Sequence, residues 1–596
     1  MLDLRLYRVT LIPFAALLAI AAFSLHARPG TPATTAPAQD FNGSATVSTM
    51  EHMASAYPYR TPGSASDDAL AAALARAGAP AGASLAVPGF AVRTDASSVE
   101  TTLGAETVRT VVASREGSGT GAGIALIADR GSSGQGPAAL APTAVLLELA
   151  SIYANLLPQR PLTLVSTSGG PSAMGAVASL LPPDTEAAIV IGDIADARGR
   201  GPYVVPWSAA GGLAPVQLRL TVESALAGAL SRPVGDVALT EQMARLALPI
   251  TTGAQGLLER AGIPTVLVSA DGESDPLAAA SAPASVPDVT LIGEFGQGLL
   301  ATTTALDAAA ALPTVPTRDL SFGTQILSGS AVRAVVGALL LSLLACTLDV
   351  VARARRRRVA IARQIGWTLS FAAAFLLAGI FAAFLGAGGL LPATPAAAVT
   401  PAQLPIAAEG VAALVSIGLL FILVWVLRAA ALARARRGGP ADPVGATAAL
   451  LIVVTATAAA LWIANPYTAA LLILPGQGWL VVLTREHGHR PPWLGALCVV
   501  VSLLPAIAAA GLICSVLHVE PLALAWTLVL LVAGGGLPPI GVILGALTAG
   551  TFVAAAVLLL RGGVPGGDAP AEVTVRGPLS YAGPGSLGGT ESALRR

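Results

Sequence analysis

Few side chains in this 596-residue chain can carry chemistry, and their types limit what that chemistry is. All 34 basic residues are arginine, which removes Schiff-base, Ser–Lys and P-loop chemistry together. A serine triad needs a histidine base, and between residues 27 and 486 His52 is the only one. No G-x-S-x-G elbow stands between a strand and a helix to meet it, and Gly131-Ser132-Ser133-Gly134 reads as a turn. The loop Gly117–Gly123 (GSGTGAG) precedes a strand, whereas a dinucleotide fingerprint follows one and opens a helix; it reads as a hairpin-like connection. Asp271, Glu273 and Asp275 offer carboxylates to a hard cation but, lacking fixed geometry, read as a solvated acidic loop. His487 and His489, two residues apart, do not build a metal site alone. Cys346, Cys498 and Cys514 all fall in apolar segments, so the polar half of the chain carries no disulfide.

The elements that must position these residues are set by hydropathy. A mean hydropathy of +0.72 with 11% charged residues is too apolar for an ordinary soluble protein. One uncharged stretch covers residues 9–25, and nothing comparable follows until about residue 331. Apolar runs then fall near 331–351, 367–387, 410–430, 445–464, 467–483, 494–516 and 521–560, most close to the ~20 residues of a membrane-crossing helix. Arginines flank alternate ends: Arg5 and Arg8, Arg353 with Arg355 to Arg358, then Arg434, Arg436 and Arg437, then Arg485 and Arg490. Basic residues stay on the cytoplasmic side, so residues 27–330 are expected outside, where 15 arginines face 25 acidic residues. The first span ends without a small-x-small pattern and is read as an uncleaved anchor. In 521–560, Gly534, Gly535, Gly536, Pro538 and Pro539 break the run, which leaves a tight hairpin of two spans or a re-entrant first piece. Asp349 is expected to pair with the arginines after it, and Arg428 to snorkel.

Within the outer segment, residues 65–77 look helical, with Asp67 and Asp68 favouring the helix dipole from its first turn. Apolar strands are expected at 108–114, 122–128, 161–167, 187–194 and 263–269, and helices at 142–156, 172–181, 240–248 and 295–311. That alternation argues for an α/β sandwich around a largely parallel sheet.

Five segments in order resemble the di-zinc exopeptidases, the family of zinc aminopeptidases and glutamate-carboxypeptidase-like enzymes. Arg60-Thr61-Pro62-Gly63-Ser64 resembles the family's opening R-x-x-G-S helix, and 123–150 its strand, metal loop and LLELA-like helix. Residues 161–176 resemble the strand before an E-E-x-G-x-x-G-S turn, 188–194 the strand ending at a metal-binding Asp, and Ala261–Val266 (AGIPTV) the A-G-I-P-A-V strand. The resemblance implies an H-x-D motif, a bridging Asp, a Glu-Glu pair, a later Asp and a final His around two zinc ions. In this chain those positions read Ile127-Ala128-Asp129, Ala138, Gly169-Gly170 and Asp193, so Asp193 is the one ligand position kept and Asp129 matches a residue behind the ligands.

The resulting expectation is an exopeptidase-like α/β/α sandwich joined to a C-terminal polytopic helical bundle. Residues 1–8 form a cytoplasmic N-terminus, 9–26 the anchor, 27–45 a Pro/Thr/Ala tether, 46–327 the extracytoplasmic domain, 328–561 a bundle of about seven or eight spans, and 562–596 a Gly/Pro-rich tail. Its function is read as a non-catalytic pseudo-peptidase of the cell membrane, without cofactor or nucleic acid. It would hold a peptide, protein or lipid-linked partner amid membrane lipid. The layout is similar to that of nicalin, nicastrin and the exopeptidase-like GPI-transamidase subunit. Alternatives are an anchored zinc hydrolase with a remodelled site around Asp129 and Asp193, and a transporter or lipid-handling bundle with an accessory domain.

Overall fold

The computed structural model describes residues 4–31, 40–79, 83–132, 136–195, 203–235, 237–270, 272–273, 287–309, 317–392, 397–401, 403–434, 443–484, 492–517 and 519–560. Helix α1 (Leu4–Phe23) leads into a short strand β1 (Leu25–Ala27). Helix α2 (Gly43–Ala56) is N-capped by Asn42, so a helix begins inside the expected 27–45 tether, and α3 (Ala65–Leu74) is N-capped by Ser64. Then come β2 (Ala91–Thr101), β3 (Gly104–Arg115), β4 (Gly123–Asp129), α4 (Ala141–Asn155), β5 (Leu162–Thr167), α5 (Met174–Leu180), β6 (Thr185–Ile191) and β7 (Tyr203–Val205). The domain ends with α6 (Val216–Leu230), α7 (Leu239–Ala247), α8 (Gln255–Arg260), β8 (Thr265–Ser269), α9 (Val289–Ala308), β9 (Leu320–Phe322) and β10 (Gln325–Leu327).

Seven strands form one sheet in the order β2-β3-β5-β4-β6-β8-β7. All five strands expected from the sequence are present, but the sheet is mixed: β4, β5, β6 and β8 run parallel, while β2, β3 and β7 add antiparallel edges. The parallel strands β4 and β5 are buried throughout, as strands covered on both faces must be. One face packs Ile124, Leu126 and Ala128 of β4 against α2, α3, α4, α6 and α9. The other packs Ala125 and Ile127 with α5, α7 and α8, and this layer also takes in Tyr467, Val332 and Leu471 from beyond the domain. The glycine loop 117–123 does not close a hairpin, because β5 lies between β3 and β4.

The C-terminal half is helical: α10 (Gly329–Arg356), α11 (Ile361–Ala387), α12 (Ala408–Arg434), α13 (Pro443–Ala464), α14 (Pro466–Leu483), α15 (Pro492–Leu517), α16 (Pro521–Ala533) and α17 (Pro539–Leu560). Among the described residues eight helices are long and apolar enough to cross a membrane, of which seven lie here. The eighth, Ala138–Asn155, contains α4, whose leucines and alanines fill the sheet's core; it is a crossover helix rather than a span. Glycines let α11 and α17 approach closely, since a Cβ on Gly379 would lie 2.7 Å from Val542 Cγ1 and one on Gly550 2.5 Å from Ala372 N. With 13 residues α16 is about 20 Å long, short of a ~30 Å hydrocarbon core. Both of its ends face the domain: Leu524 shares a cluster with Leu248 and Ile250, and Gly536 O accepts from Arg260 Nη2 at 2.8 Å. The start of α16 and the turn after it thus both contact the domain.

Candidate functional site

The helices joining the parallel strands leave the sheet on opposite faces, α4 after β4 and α5 after β5. Diverging connections open a crevice at the strand C-termini, the usual place for a site in α/β sheets. Asp129 ends β4, Gly169 and Gly170 follow β5, and Asp193 follows β6, so the sequence positions converge on this end.

The crevice is closed from within. Asp129 is 6% exposed; its Oδ1 accepts from Gly131 N at 2.7 Å and its Oδ2 from Gly170 N at 2.6 Å, so the carboxylate bridges the β4 and β5 loops. Gly169 and Gly170 have φ of +102° and +58°, a left-handed region in which a glutamate pair would be strained. Above them, the β2–β3 hairpin runs past the end of β5, to which β3 is paired only over Val111–Arg115. A Cβ on Gly169 would meet Val108 Cγ2 at 3.4 Å and Thr101 Cγ2 at 3.7 Å. Ile127 is fully buried among Val112, Val165 and Val190 in the apolar layer, and Ala138 opens a short 3-10 turn before α4. Asp193 is half-buried, with Oδ1 accepting from Ala195 N at 3.2 Å and its carbonyl accepting from Ala270 N at 2.6 Å.

A residue that the sequence reading gave only a dipole role organises this closure. Asp67 is fully buried, with Oδ1 2.8 Å from Arg130 Nε and Oδ2 accepting from Ser168 Oγ at 2.6 Å. Arg130, also fully buried, donates to Ser166 O at 2.9 Å and Arg109 O at 2.5 Å. Arg60 of the R-x-x-G-S segment donates to Tyr57 O at 2.6 Å and Arg130 O at 3.4 Å. Burial pushes the Arg60 guanidinium down to about 10, partly opposed by Asp67. Neighbouring Asp68 pairs instead with exposed Arg109 at 2.8 Å.

The residues present do not fit two zinc ions. Such a pair needs imidazoles and carboxylates with open lone pairs facing one point. Here Ile127 is packed in the core, Ala138, Gly169 and Gly170 supply no side-chain donor, and Asp193 is the one carboxylate left at a ligand position. Among the described residues no three of His, Cys, Asp or Glu converge.

The other sequence candidates separate. His52 lies exposed on α2. The N–H groups of Ser118 and Gly119 in the glycine loop donate to Pro158 and Gln159 carbonyls, at 2.9 and 2.8 Å, rather than facing a phosphate. Glu273 is not solvated: Oε1 lies 3.0 Å from Arg245 Nη2, and Oε2 accepts from Thr251 Oγ1 at 3.0 Å. Asp271, Asp275, Ser133, Gly134, His487 and His489 lie outside the described residues. Asp349 pairs with Arg353 as expected, and Arg428 lies 3.5 Å from the Phe371 ring centroid and donates to Ser370 Oγ at 2.7 Å.

No family model and no curated protein matches the sequence. Solved structures similar to the chain include a glutaminyl cyclase from Bacteroides thetaiotaomicron bound to N-acetylhistamine, at 13% identity over 45% of this chain and 98% of that one, TM-score 0.34. A leucine aminopeptidase precursor from Bacteroides thetaiotaomicron is 13% identical over 45% and 99%, TM-score 0.35. A zinc aminopeptidase from Bacillus subtilis is 9% identical over 45% and 95%, TM-score 0.34. The structural neighbours of the chain are thus glutaminyl cyclases and zinc exopeptidase-like proteins.

Proposed function

We propose that the chain is a non-catalytic membrane protein whose α/β domain stands outside the cytoplasm and holds a peptide, protein or lipid-linked partner. The supporting observation is the set of substituted ligand positions at the strand ends: Ile127 is packed in the apolar layer, and Ala138, Gly169 and Gly170 carry no ligating side chain, which leaves Asp193 alone. The sequence resemblance to the di-zinc exopeptidases, with substitutions at Ile127, Ala138, Gly169 and Gly170, supports the same reading. Metal analysis and aminopeptidase assays of the purified full chain test this reading. Sub-stoichiometric zinc and no turnover are expected; stoichiometric zinc with activity abolished by Asp193→Ala would overturn it.

Seven long apolar helices with α1 support a multi-pass location in the cell membrane, with lipid around the bundle. The arginine-rich ends of α10 and α12 support placing the opposite, domain-bearing end outside. Cysteines introduced at Thr102 and at Arg356 should be labelled by an impermeant maleimide from outside and only after lysis, respectively. The reverse pattern would invert the topology.

A further inference from the structure

We infer that the turn between α10 and α11 is a docking site for anionic phospholipid headgroups in the leaflet away from the α/β domain. This rests on the reading of the bundle as membrane-spanning. Residues 353–363 carry six arginines, at 353, 355, 356, 357, 358 and 363, and the last five are exposed. Asp349 is paired with Arg353 one turn away, and Arg355, Arg356 and Arg358 follow on the exposed turn. The density exceeds what orientation requires, since a few basic residues near a helix end suffice for that.

The turn also presents its charges rigidly. Val359 N donates to Ala354 O at 3.1 Å and Arg358 N to Arg355 O at 2.9 Å, the paired bonds of a Schellman stop. Arg358 takes the left-handed position of that motif, φ +55°, where glycine is favoured because it has no Cβ. A charged side chain is thus kept where the backbone disfavours one. Behind it, Val359 and Ile361 pack against the bundle's core cluster, which fixes the fan of guanidiniums to the helices.

The position favours a lipid over a nucleic acid. Only residues 357–360 separate two apolar helices, so the guanidiniums stand flush with the helix ends, at the depth of phosphodiesters rather than out in the cytoplasm. Arginine matches phosphate with paired N–H donors, and each basic residue near an anionic surface strengthens binding about fivefold.

The test uses the full chain reconstituted in phosphatidylcholine, with or without phosphatidylglycerol, and in neutral detergent for native mass spectrometry. Wild type should retain phosphatidylglycerol in preference to phosphatidylcholine and gain thermal stability from it. The combined Arg355→Gln, Arg356→Gln, Arg357→Gln and Arg358→Gln variant should lose that preference, and lysines at the same positions should keep much of it. Arg358→Gly separates this role from a structural one: it should raise the melting temperature in neutral detergent while weakening phosphatidylglycerol retention severalfold. Both quantities moving together, equal retention of the two lipids by wild type, or binding of tRNA with no preference between vesicles would each overturn the inference. Carbonate extraction distinguishes the failures: a chain released from vesicles sinks the membrane reading itself, whereas an inserted chain indifferent to headgroup sinks only this site.

Discussion

At the C-terminal end of the sheet, the partners named above for the buried polar side chains all lie within the domain. Asp67, Arg130, Ser168, Arg60 and Asp129 tie α3, β4 and β5 to one another. At the base the same kinds of group reach across a boundary. Asn465 caps α14 by accepting from Tyr467 N at 3.0 Å and donates through Nδ2 to Leu246 O at 2.6 Å, while Thr468 Oγ1 donates to Ala247 O at 2.6 Å. Those carbonyls are the free C-terminal ends of α7, so two helix termini satisfy each other. Arg318 donates to Ala464 O at 3.0 Å and Arg333 to Trp462 O at 3.2 Å, which caps the end of α13. The difference teaches where each end takes its bonds: the strand C-termini are tied within the domain, and the other end is tied to the helices of the bundle.

The largest effect should come from breaking the seal. Arg130→Met leaves the Asp67 carboxylate buried without its partner and should cost about 3–5 kcal/mol in denaturant titration, while Arg130→Met with Asp67→Leu should recover much of that. A single variant as stable as wild type would mean that the pair does not hold the crevice. Next is Glu259, beside the junction residue Arg260. Its Oε1 accepts from Thr265 N at 2.7 Å, and burial pushes its carboxyl up to about 7. A raised carboxyl binds its proton more tightly folded than unfolded, so its contribution is full below about 4.5 and is lost as pH rises through about 7. The loss is on the order of 3 kcal/mol, and Glu259→Gln should flatten the stability profile over that window. A profile unchanged by the substitution would assign the dependence elsewhere.

Asn465→Ala with Thr468→Val should cost about 1–2 kcal/mol. It should accelerate amide exchange around Leu246–Leu248 and not around Asp129–Gly131; acceleration at both ends would deny that the two networks are separate. It should also add to Arg130→Met without coupling, as distant sites do. The smallest effect expected is about 1 kcal/mol for Ser64→Ala, which removes the N-cap of α3. Protease sensitivity confined to the α3 region would place Asp67 as held by its helix as well as by Arg130.

Much of this was legible in the residues. The five core strands are short apolar runs, and the helix breaks at Asn465-Pro466 and Gly534–Pro539 are written in turn chemistry. The edge strand β2, AVRTDASSVET, escaped because neither face is apolar enough to show period two, and α6 escaped because VQLRLTV alternates like a strand before its helix is complete. Strand direction leaves no local trace, so the antiparallel pairings of β2, β3 and β7 were not read within the largely parallel sheet. Asp67 read as a first-turn acid because its partner lies 63 residues away. At the site, the substitutions at Ile127, Ala138, Gly169 and Gly170 were readable one by one, but that Asp129 bridges two loops depends on Gly170 folding back 41 residues later.

The pairing of β1 with β10, Leu25 opposite Leu327, has a consequence in time. Helix α1 lies against α10, yet about 300 residues separate the two partners in synthesis. At the ordinary pace of translation, the first helix waits roughly 15–60 s before its neighbour exists. During that interval the whole α/β domain must be delivered with one edge of its second core, the part filled by Tyr467, Val332 and Leu471, still missing. The packing of the domain is thus completed by helices made after it.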